Sequence, residues 1–449
     1  MKHKNTFFQS VCALAIPVAL QSMLQASFSI VDQIMIGQLG SVSVAGVGLA
    51  GKFASIYSVV VSAVGAVAGI MISQYLGQEN RQEVKRSFYL NLWIAFGVAA
   101  LFSVFCMLFP GQIMGLYTTD PATRQAAAGY LFIITGTFLP MAGATLVSTL
   151  LRCMEKAKLP LYASITSAVL NTGLNYILIF GKCGFSPMGA KGAAIATVVS
   201  QCVNLLLMLW MMKGQYVRFG RSLPKEKSTG RFYWKQYLAM LLPILVCEVV
   251  WSLGENVYAG IYGHMGTEST AAMTLINPIQ GLMIGALCGL SQAAGVIIGK
   301  KLGNREYDEA YEASKKLLLY GMIGSAALSI VIALTASVYV EIYQVETSVK
   351  QLTTQILYAY ALVAPFKVLN MILGGGIIRS GGKTKYVMAI DMIGTWGFGV
   401  PLGLLSAFVF KLSIPYVYFI LSLEECVRFG ISLFVFRRKN WMQSLEASV

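Results

Sequence analysis

The sequence has little charge and few residue patterns typical of enzymes. Only 12% of its 449 residues are charged, whereas soluble domains carry about 25%. By contrast, 56% are hydrophobic and the mean hydropathy is +0.67. This composition excludes a disordered chain, which would be poor in apolar residues, and it argues against a soluble enzyme. We therefore predict a polytopic membrane protein.

Metal-binding and catalytic patterns are also scarce. The only histidines are His3 and His264, and the eight cysteines are scattered without a CxxC pair, so we expect neither a metal centre nor disulfides. HExxH, GxSxG and Walker-type motifs are missing, which argues against an enzyme. The net charge of +15 comes from short basic clusters between apolar runs, so no nucleic-acid partner is expected.

Twelve apolar segments are each long enough to cross a bilayer as a helix, which takes about 20 residues. Their approximate bounds are 11–36, 44–75, 87–109, 127–151, 159–181, 189–212, 236–262, 271–299, 315–340, 352–378, 386–410 and 413–436. An even number of spans places both termini on one side of the membrane. The predicted fold is an all-α membrane protein with twelve transmembrane helices.

Lysine and arginine are distributed unequally between the loops. Most of the 34 lie in the loops on the side of the termini, including the basic stretch 213–235. The positive-inside rule then places both termini in the cytoplasm and the protein in the cell inner (plasma) membrane. We predict an N-terminal lobe (1–212, six spans), a cytoplasmic basic linker (213–235) and a C-terminal lobe (236–449, six spans).

The two halves repeat each other at a fixed offset. Pro17, Val31, Gly37 and Gly40 in the first half match Pro243, Val257, Gly263 and Gly266 in the second. At the same offset, GIMISQYLG (69–77) aligns with GVIIGKKLG (295–303). Because each half has six spans, both copies insert in the same orientation. This is a parallel repeat, a common plan among transporters.

Several motifs resemble those of one transporter family. They are IVDQIMIGQLG (30–40), GIMISQYLGQEN (69–80), LNYILIFG (174–181), GAAIATVVSQ (192–201) and IIRSGGKTK (377–385). Together they resemble the multidrug and toxic compound extrusion (MATE) family, and the chain looks closer to its DinF-like branch than to NorM. The resemblance implies two pseudo-symmetric six-helix lobes around a cleft. It also implies exchange of Na+ or H+ for organic, often cationic, compounds by alternating access, without a cofactor.

Asp32 is the sharpest candidate for the coupling site. A charge inside a span is costly unless it is partnered, and Asp32 ends a polar helical face that includes Gln21, Gln25 and Ser29. By resemblance, Asp32 stands where the family has its N-lobe ion-coupling aspartate. A structural hydrogen bond within the lobe is the alternative.

Asn171 and Asn175 are four residues apart and can face one cavity. The resemblance places them, with Thr197, around Asp32. Some family members have a second aspartate where this chain has Asn175, so a Na+ site with two carboxylates is in doubt. Coupling by one titrating acid to H+, or by neutral oxygens to Na+, both stay open. The alternative is that these amides only join helices.

The C-terminal lobe has its own intramembrane charges. Glu248 and Glu255 lie seven apart in the seventh span and, with Gln25 and Ser29, are candidates for a substrate or second ion site. Glu248 could instead pair with Lys367. Asp391 and Lys367 are expected to be structural or gating residues, and so are Glu424 and Arg428, for which the spacing predicts an i,i+4 ion pair.

These observations favour a cation-coupled antiporter that exports amphipathic organic cations and works as a monomer in the lipid bilayer. The alternative is a flippase for a lipid-linked precursor, whose cavity would be basic in order to hold phosphates. Acidic residues outnumber basic ones in the predicted spans, which favours cationic cargo. No repeated pore signature suggests a channel.

Overall fold

The computed structural model describes residues 2–220, 234–343 and 345–445, and every regular element in these ranges is a helix. Residues 221–233 of the predicted linker lie outside the described residues. The helices of the N-terminal half are α1 (Lys2–Gly37), α2 (Ser41–Gly77), α3 (Arg81–Leu108), α4 (Pro110–Gly115), α5 (Pro121–Ile134), α6 (Phe138–Cys153), α7 (Lys158–Phe180) and α8 (Ala190–Gly220). A 3₁₀ turn, Thr135–Thr137, joins α5 to α6.

The C-terminal half repeats this order. Its helices are α9 (Trp234–His264), α10 (Thr267–Gly303), α11 (Tyr307–Glu341), α12 (Thr347–Asn370), α13 (Thr384–Met392), α14 (Val400–Leu404), α15 (Ile414–Ser422) and α16 (Glu424–Arg437). Wider π-helical turns extend or link these helices at Met371–Ile378, Ile393–Gly399 and Leu405–Val409. Such turns are often found at functional sites.

Eleven helical segments of the described chain are long and apolar enough to cross a membrane, one fewer than predicted. The difference lies in the predicted span 413–436. There the helix is interrupted at Leu423, which leaves α15 and α16 with 9 and 14 residues. Neither piece alone reaches the length of a membrane-spanning helix, although the segment as a whole does.

The chain divides into two compact units. One contains residues 1–19, 73–79 and 231–449, and the other contains 20–72 and 80–230. The start of α1 and the end of α2 therefore group with the C-terminal half, whereas the rest of both helices belongs to the other unit.

Each unit has its own apolar core. In the unit of residues 20–72 and 80–230, Tyr57 is fully buried, its ring stacks on Phe138, and its hydroxyl donates to the Phe138 carbonyl at 2.6 Å. In the other unit, Trp441 is fully buried and stacks on Phe436, which stacks in turn on Tyr311. These rings fix the segment that follows α16.

Candidate functional site

Asp32 lies at the centre of a polar cluster formed by α1, α7 and α8. The amide nitrogen of Asn175 donates to Asp32 Oδ1 at 2.7 Å. Hydrogen bonding also assigns the orientation of the Asn171 amide: with its nitrogen toward Asp32, it donates to Oδ2 at 3.0 Å. The other end of that amide lies 3.4 Å from Thr197 Oγ1. One turn of α7 thus presents both amides to one carboxylate.

This cluster leaves oxygen atoms free to bind an ion. Asn175 is only 1% exposed, yet its Oδ1 has no hydrogen-bond partner among the described residues. Asp32 is half-buried, and no lysine or arginine of the described chain pairs with it. A carboxylate with two amide donors and a nearby unpaired amide oxygen can take up a proton or a small cation with oxygen ligands. Tyr130 of α5, which sequence reasoning missed, also faces the charge of Asp32.

The other polar residues of α1 have different surroundings. Gln21 is buried; it donates to Ser164 Oγ at 2.8 Å and accepts from Arg152 at 3.0 Å. Gln25 and Ser29 are exposed. The polar face of α1 therefore contains a buried interhelical bond at Gln21 and the carboxylate at Asp32, separated by accessible side chains.

The two acids of α9 also differ from each other. Glu248 is half-buried and Glu255 is exposed. Glu255 lines a cavity of about 320 Å³ that Lys367 also lines. The alternative considered for Glu248 is not observed, because no ion pair joins it to Lys367 in the described part of the chain.

Arg428 is the centre of a charged network in the C-terminal half. Its guanidinium forms an ion pair with Asp391 and lies 3.6 Å from Glu425 Oε1. The Asn370 amide donates to Glu425 Oε2 at 2.8 Å. The predicted ion pair between Glu424 and Arg428 is therefore wrong. Glu425, three residues before Arg428 on α16, contacts the guanidinium instead, and Asp391 of α13 contacts it as well, so two carboxylates share one cation.

Glu424 instead faces a different partner. The hydroxyl of Tyr258, on α9, donates to Glu424 Oε2 at 2.6 Å. Both groups line the cavity that contains Glu255 and Lys367. Sequence spacing could not identify Tyr258, because the contact joins two helices that are far apart in the sequence.

One pair of hydrogen bonds follows the internal repeat. Gln21 donates to Ser164 in the first half, and Cys247 donates to Asp391 at 2.7 Å in the second. Cys247 follows Gln21 at the same offset that relates Pro17 to Pro243, and Asp391 follows Ser164 at that offset plus one. The first and fifth predicted spans of each half are thus joined at equivalent positions by different chemistry.

Comparison with known proteins also finds two repeats in the chain. A family model described as MatE matches residues 17–177 and 243–405. The chain belongs to the MATE family. The two matched ranges begin at Pro17 and Pro243, so the family model independently finds the repeat that is visible in the sequence.

Relatives and solved structures extend the MATE match over almost the whole chain. The chain is 21% identical to the uncharacterized transporter YisQ of Bacillus subtilis, with 97% of this chain and 95% of that protein covered. It is 21% identical to a probable multidrug resistance protein NorM of Thermotoga maritima, covering 95% and 92%. A mutant of the Vibrio cholerae MATE transporter VcmN superposes with a TM-score of 0.88 at 17% identity, covering 98% of this chain and all of that one.

These matches confirm the predicted fold class, an all-helical membrane protein with the MATE architecture of two repeats. The interruption at Leu423 changes only the continuity of the last span. At the level of the family, the chain is a multi-pass membrane transporter and not an enzyme.

Proposed function

We propose that the protein is a cation-coupled antiporter that exports amphipathic organic cations by alternating access. The observation that carries this proposal is the cluster at Asp32, in which Asn171 and Asn175 hold one carboxylate without a paired cation among the described residues. Coupling of ion movement to export requires a group that can exchange its counter-ion. Protonation or ion binding changes the buried charge and so changes the relative energy of two conformations.

In this function the cluster couples the ion, with Asp32 as the acid and Asn171, Asn175 and Thr197 as the groups that orient it. Glu248, Glu255, Gln25 and Ser29 are assigned to the substrate or to a second ion. Asp391, Lys367 and Arg428 are assigned as structural or gating residues. Several relatives are named as probable multidrug resistance proteins, which supports export of varied compounds.

Coupling through the N-terminal half, as in the DinF-like branch, is part of the proposal. Support comes from the amide-bound carboxylate there. In the C-terminal half, by contrast, Asp391 and Glu425 both contact the Arg428 guanidinium and so share one cation. The cluster has a single carboxylate, which favours H+, whereas the unpaired amide oxygen of Asn175 keeps Na+ open.

The proposed setting is the inner (plasma) membrane, with a monomer of two six-helix lobes, 1–212 and 236–449, and cytoplasmic termini. A lipid-precursor flippase is the less favoured function. The cavity near Glu255 contains three acids and only one lysine, which suits a cation better than a phosphate.

Transport by the purified protein in liposomes tests the proposal. Vesicles loaded with a fluorescent lipophilic cation are given either a pH gradient or a Na+ gradient, one at a time. We expect efflux to accelerate with one of these gradients and to lose that acceleration in Asp32→Asn. Efflux that responds to neither gradient, in protein that is folded and correctly inserted, would refute coupling.

A further inference from the structure

Glu424 is a buried carboxylate that the proposed coupling site does not use. It is 6% exposed, and the Tyr258 hydroxyl donates to its Oε2 at 2.6 Å. Gly399, at the end of a π-helical segment, makes room for this pair, because a Cβ at that position would overlap both Tyr258 and Glu424. Helix α9, helix α16 and the π-helical segment therefore pack closely around this one hydrogen bond.

The last predicted span is interrupted at this carboxylate. Helix α15 ends at Ser422, and α16 begins with Glu424 itself. Leu423 between them keeps right-handed helical backbone angles, and the Val427 N–H donates to the Leu423 carbonyl at 3.2 Å. Glu424 therefore lies at a single tightened turn within the span.

The charges near Glu424 leave it without a committed counter-ion. Arg428 is engaged by Asp391 and Glu425, and Lys367 lines the same cavity without an ion pair among the described residues. The titratable and charged groups that face this region are Glu255, Tyr258 and Tyr262 of α9, Tyr360 and Lys367 of α12, Tyr418 of α15, and Glu425 and Arg428 of α16.

The internal repeat connects this site with the cluster at Asp32. Tyr258 is the repeat equivalent of Asp32, because each directly follows one member of the matched pair Val31 and Val257. In the first half the first span supplies the carboxylate and a later span supplies the polar donors. In the second half the first span supplies the donor, Tyr258, and the last span supplies the carboxylate, Glu424.

We propose that Glu424 is a second proton-binding carboxylate, which takes up a proton from water in one state and releases it when a cationic substrate binds the C-terminal half. Tyr258 is its positioning residue. Protonation converts the carboxylate to a neutral acid, whose unbonded oxygen carries the proton while Oε2 stays bound to the hydroxyl. The inference rests on the proposed function and adds a second titrating site to it.

Counting protons tests the inference. Purified protein in a weakly buffered solution with a pH-indicator dye receives tetraphenylphosphonium, a cation that cannot itself release a proton. We expect wild type to release more protons per molecule than either Asp32→Asn or Glu424→Gln, and the double variant to release none. Equal release by wild type and Glu424→Gln would overturn the inference and leave the coupling at Asp32 intact. No release by wild type would overturn proton coupling at both sites.

A second variant covers the case in which Glu424→Gln does not fold. Tyr258→Phe removes only the hydroxyl, so we expect the release to persist with a shifted midpoint pH. The matched control is Tyr57→Phe. This variant also loses a tyrosine hydrogen bond of 2.6 Å, but the acceptor there is the Phe138 carbonyl and not a carboxylate. This control should keep the wild-type midpoint. An unshifted midpoint in Tyr258→Phe would count against Glu424 as a proton site.

Discussion

Gly77 and Gly303, which occupy equivalent positions in the two repeats, pack reciprocally at the C-terminal ends of α2 and α10. A Cβ on Gly77 would overlap the carbonyl oxygen of Lys300, and one on Gly303 would overlap that of Gln74. Each glycine therefore faces the residue three positions before the other. Repeat-related residues meet at this crossing, and neither position has space for a side chain.

Replacing either glycine should separate the two helix ends. We expect Gly77→Ala or Gly303→Ala to lower the free energy of unfolding by about 1–3 kcal/mol, the usual cost of overpacking, because backbone carbonyls cannot move aside easily. Thermal unfolding in detergent measures this. Gly97→Ala is the control, since its Cβ would meet open space and alanine favours a helix by about 1 kcal/mol.

The charge of Asp32 should be essential for coupled export. Asn has the size of Asp but cannot release a proton or give full charge to Na+, so Asp32→Asn should abolish gradient-driven efflux. Folded protein should remain in the membrane, because Asp32 is only half-buried and the Asn171 amide can turn its oxygen toward the new side-chain NH2. Efflux from vesicles, alongside size-exclusion chromatography, measures both effects.

Glu248→Gln provides the comparison in the other half. We expect it to weaken binding of the organic cation or to change the ion preference, while some coupled efflux remains. Normal efflux in Asp32→Asn together with loss in Glu248→Gln would move coupling to the C-terminal half.

The ion pair between Asp391 and Arg428 should stabilise the C-terminal half. Asp391→Asn leaves the guanidinium with Glu425 alone, and breaking a buried pair on one side costs about 3 kcal/mol or more. Replacing both residues, as Asp391→Asn with Arg428→Gln, should cost less than the sum of the single changes. Unfolding of the two single variants and the double variant gives this coupling energy. Strictly additive losses would mean that the pair contributes nothing of its own.

A native cysteine can report the predicted topology. Of the eight cysteines, all within the described residues, only Cys183 is exposed, and it follows α7 on the side predicted to face outward. A membrane-impermeant maleimide should label Cys183 in intact cells and should fail to label Cys183→Ser. In the Cys183→Ser background, Ser228→Cys should label only after the membrane is permeabilised. The reverse pattern would invert the topology.

The segment after α16 should contribute to stability through Trp441 and the end of α2. Trp441 is fully buried, and Gln74 accepts from the Leu445 backbone N–H at 2.6 Å while donating to the Ser380 carbonyl at 2.7 Å. Truncating a buried tryptophan to alanine costs about 3–5 kcal/mol. Trp441→Ala should therefore unfold at a markedly lower temperature, and Trp441→Phe should retain most of the stability. Equal loss in both variants would point to the hydrogen bond that the indole N–H donates to the Phe436 carbonyl at 3.1 Å rather than to packing.

The sequence determined the class of protein, the number of apolar segments and the repeat. Segment length and hydropathy follow from the thickness of the bilayer, and a repeat is visible wherever equivalent helices keep equivalent small residues, as at Gly77 and Gly303. It also singled out Asp32, because a lone acid among apolar residues has to find partners. The grouping of Asn171 and Asn175 with Asp32 came from the family resemblance, and their mutual contacts are visible only in the structure.

Only the tertiary structure decided which partner each charge takes in the second half. Spacing along α16 predicted a Glu424–Arg428 pair, yet Arg428 contacts Asp391 and Glu425 while Glu424 contacts Tyr258. Helical periodicity gives the side chains that share a face. Partners on other helices depend on the direction in which each helix packs and on where it breaks. Glu424 and Glu425 are consecutive and point in different directions on the helix, so which of them meets Arg428 depended on the helices packed around α16.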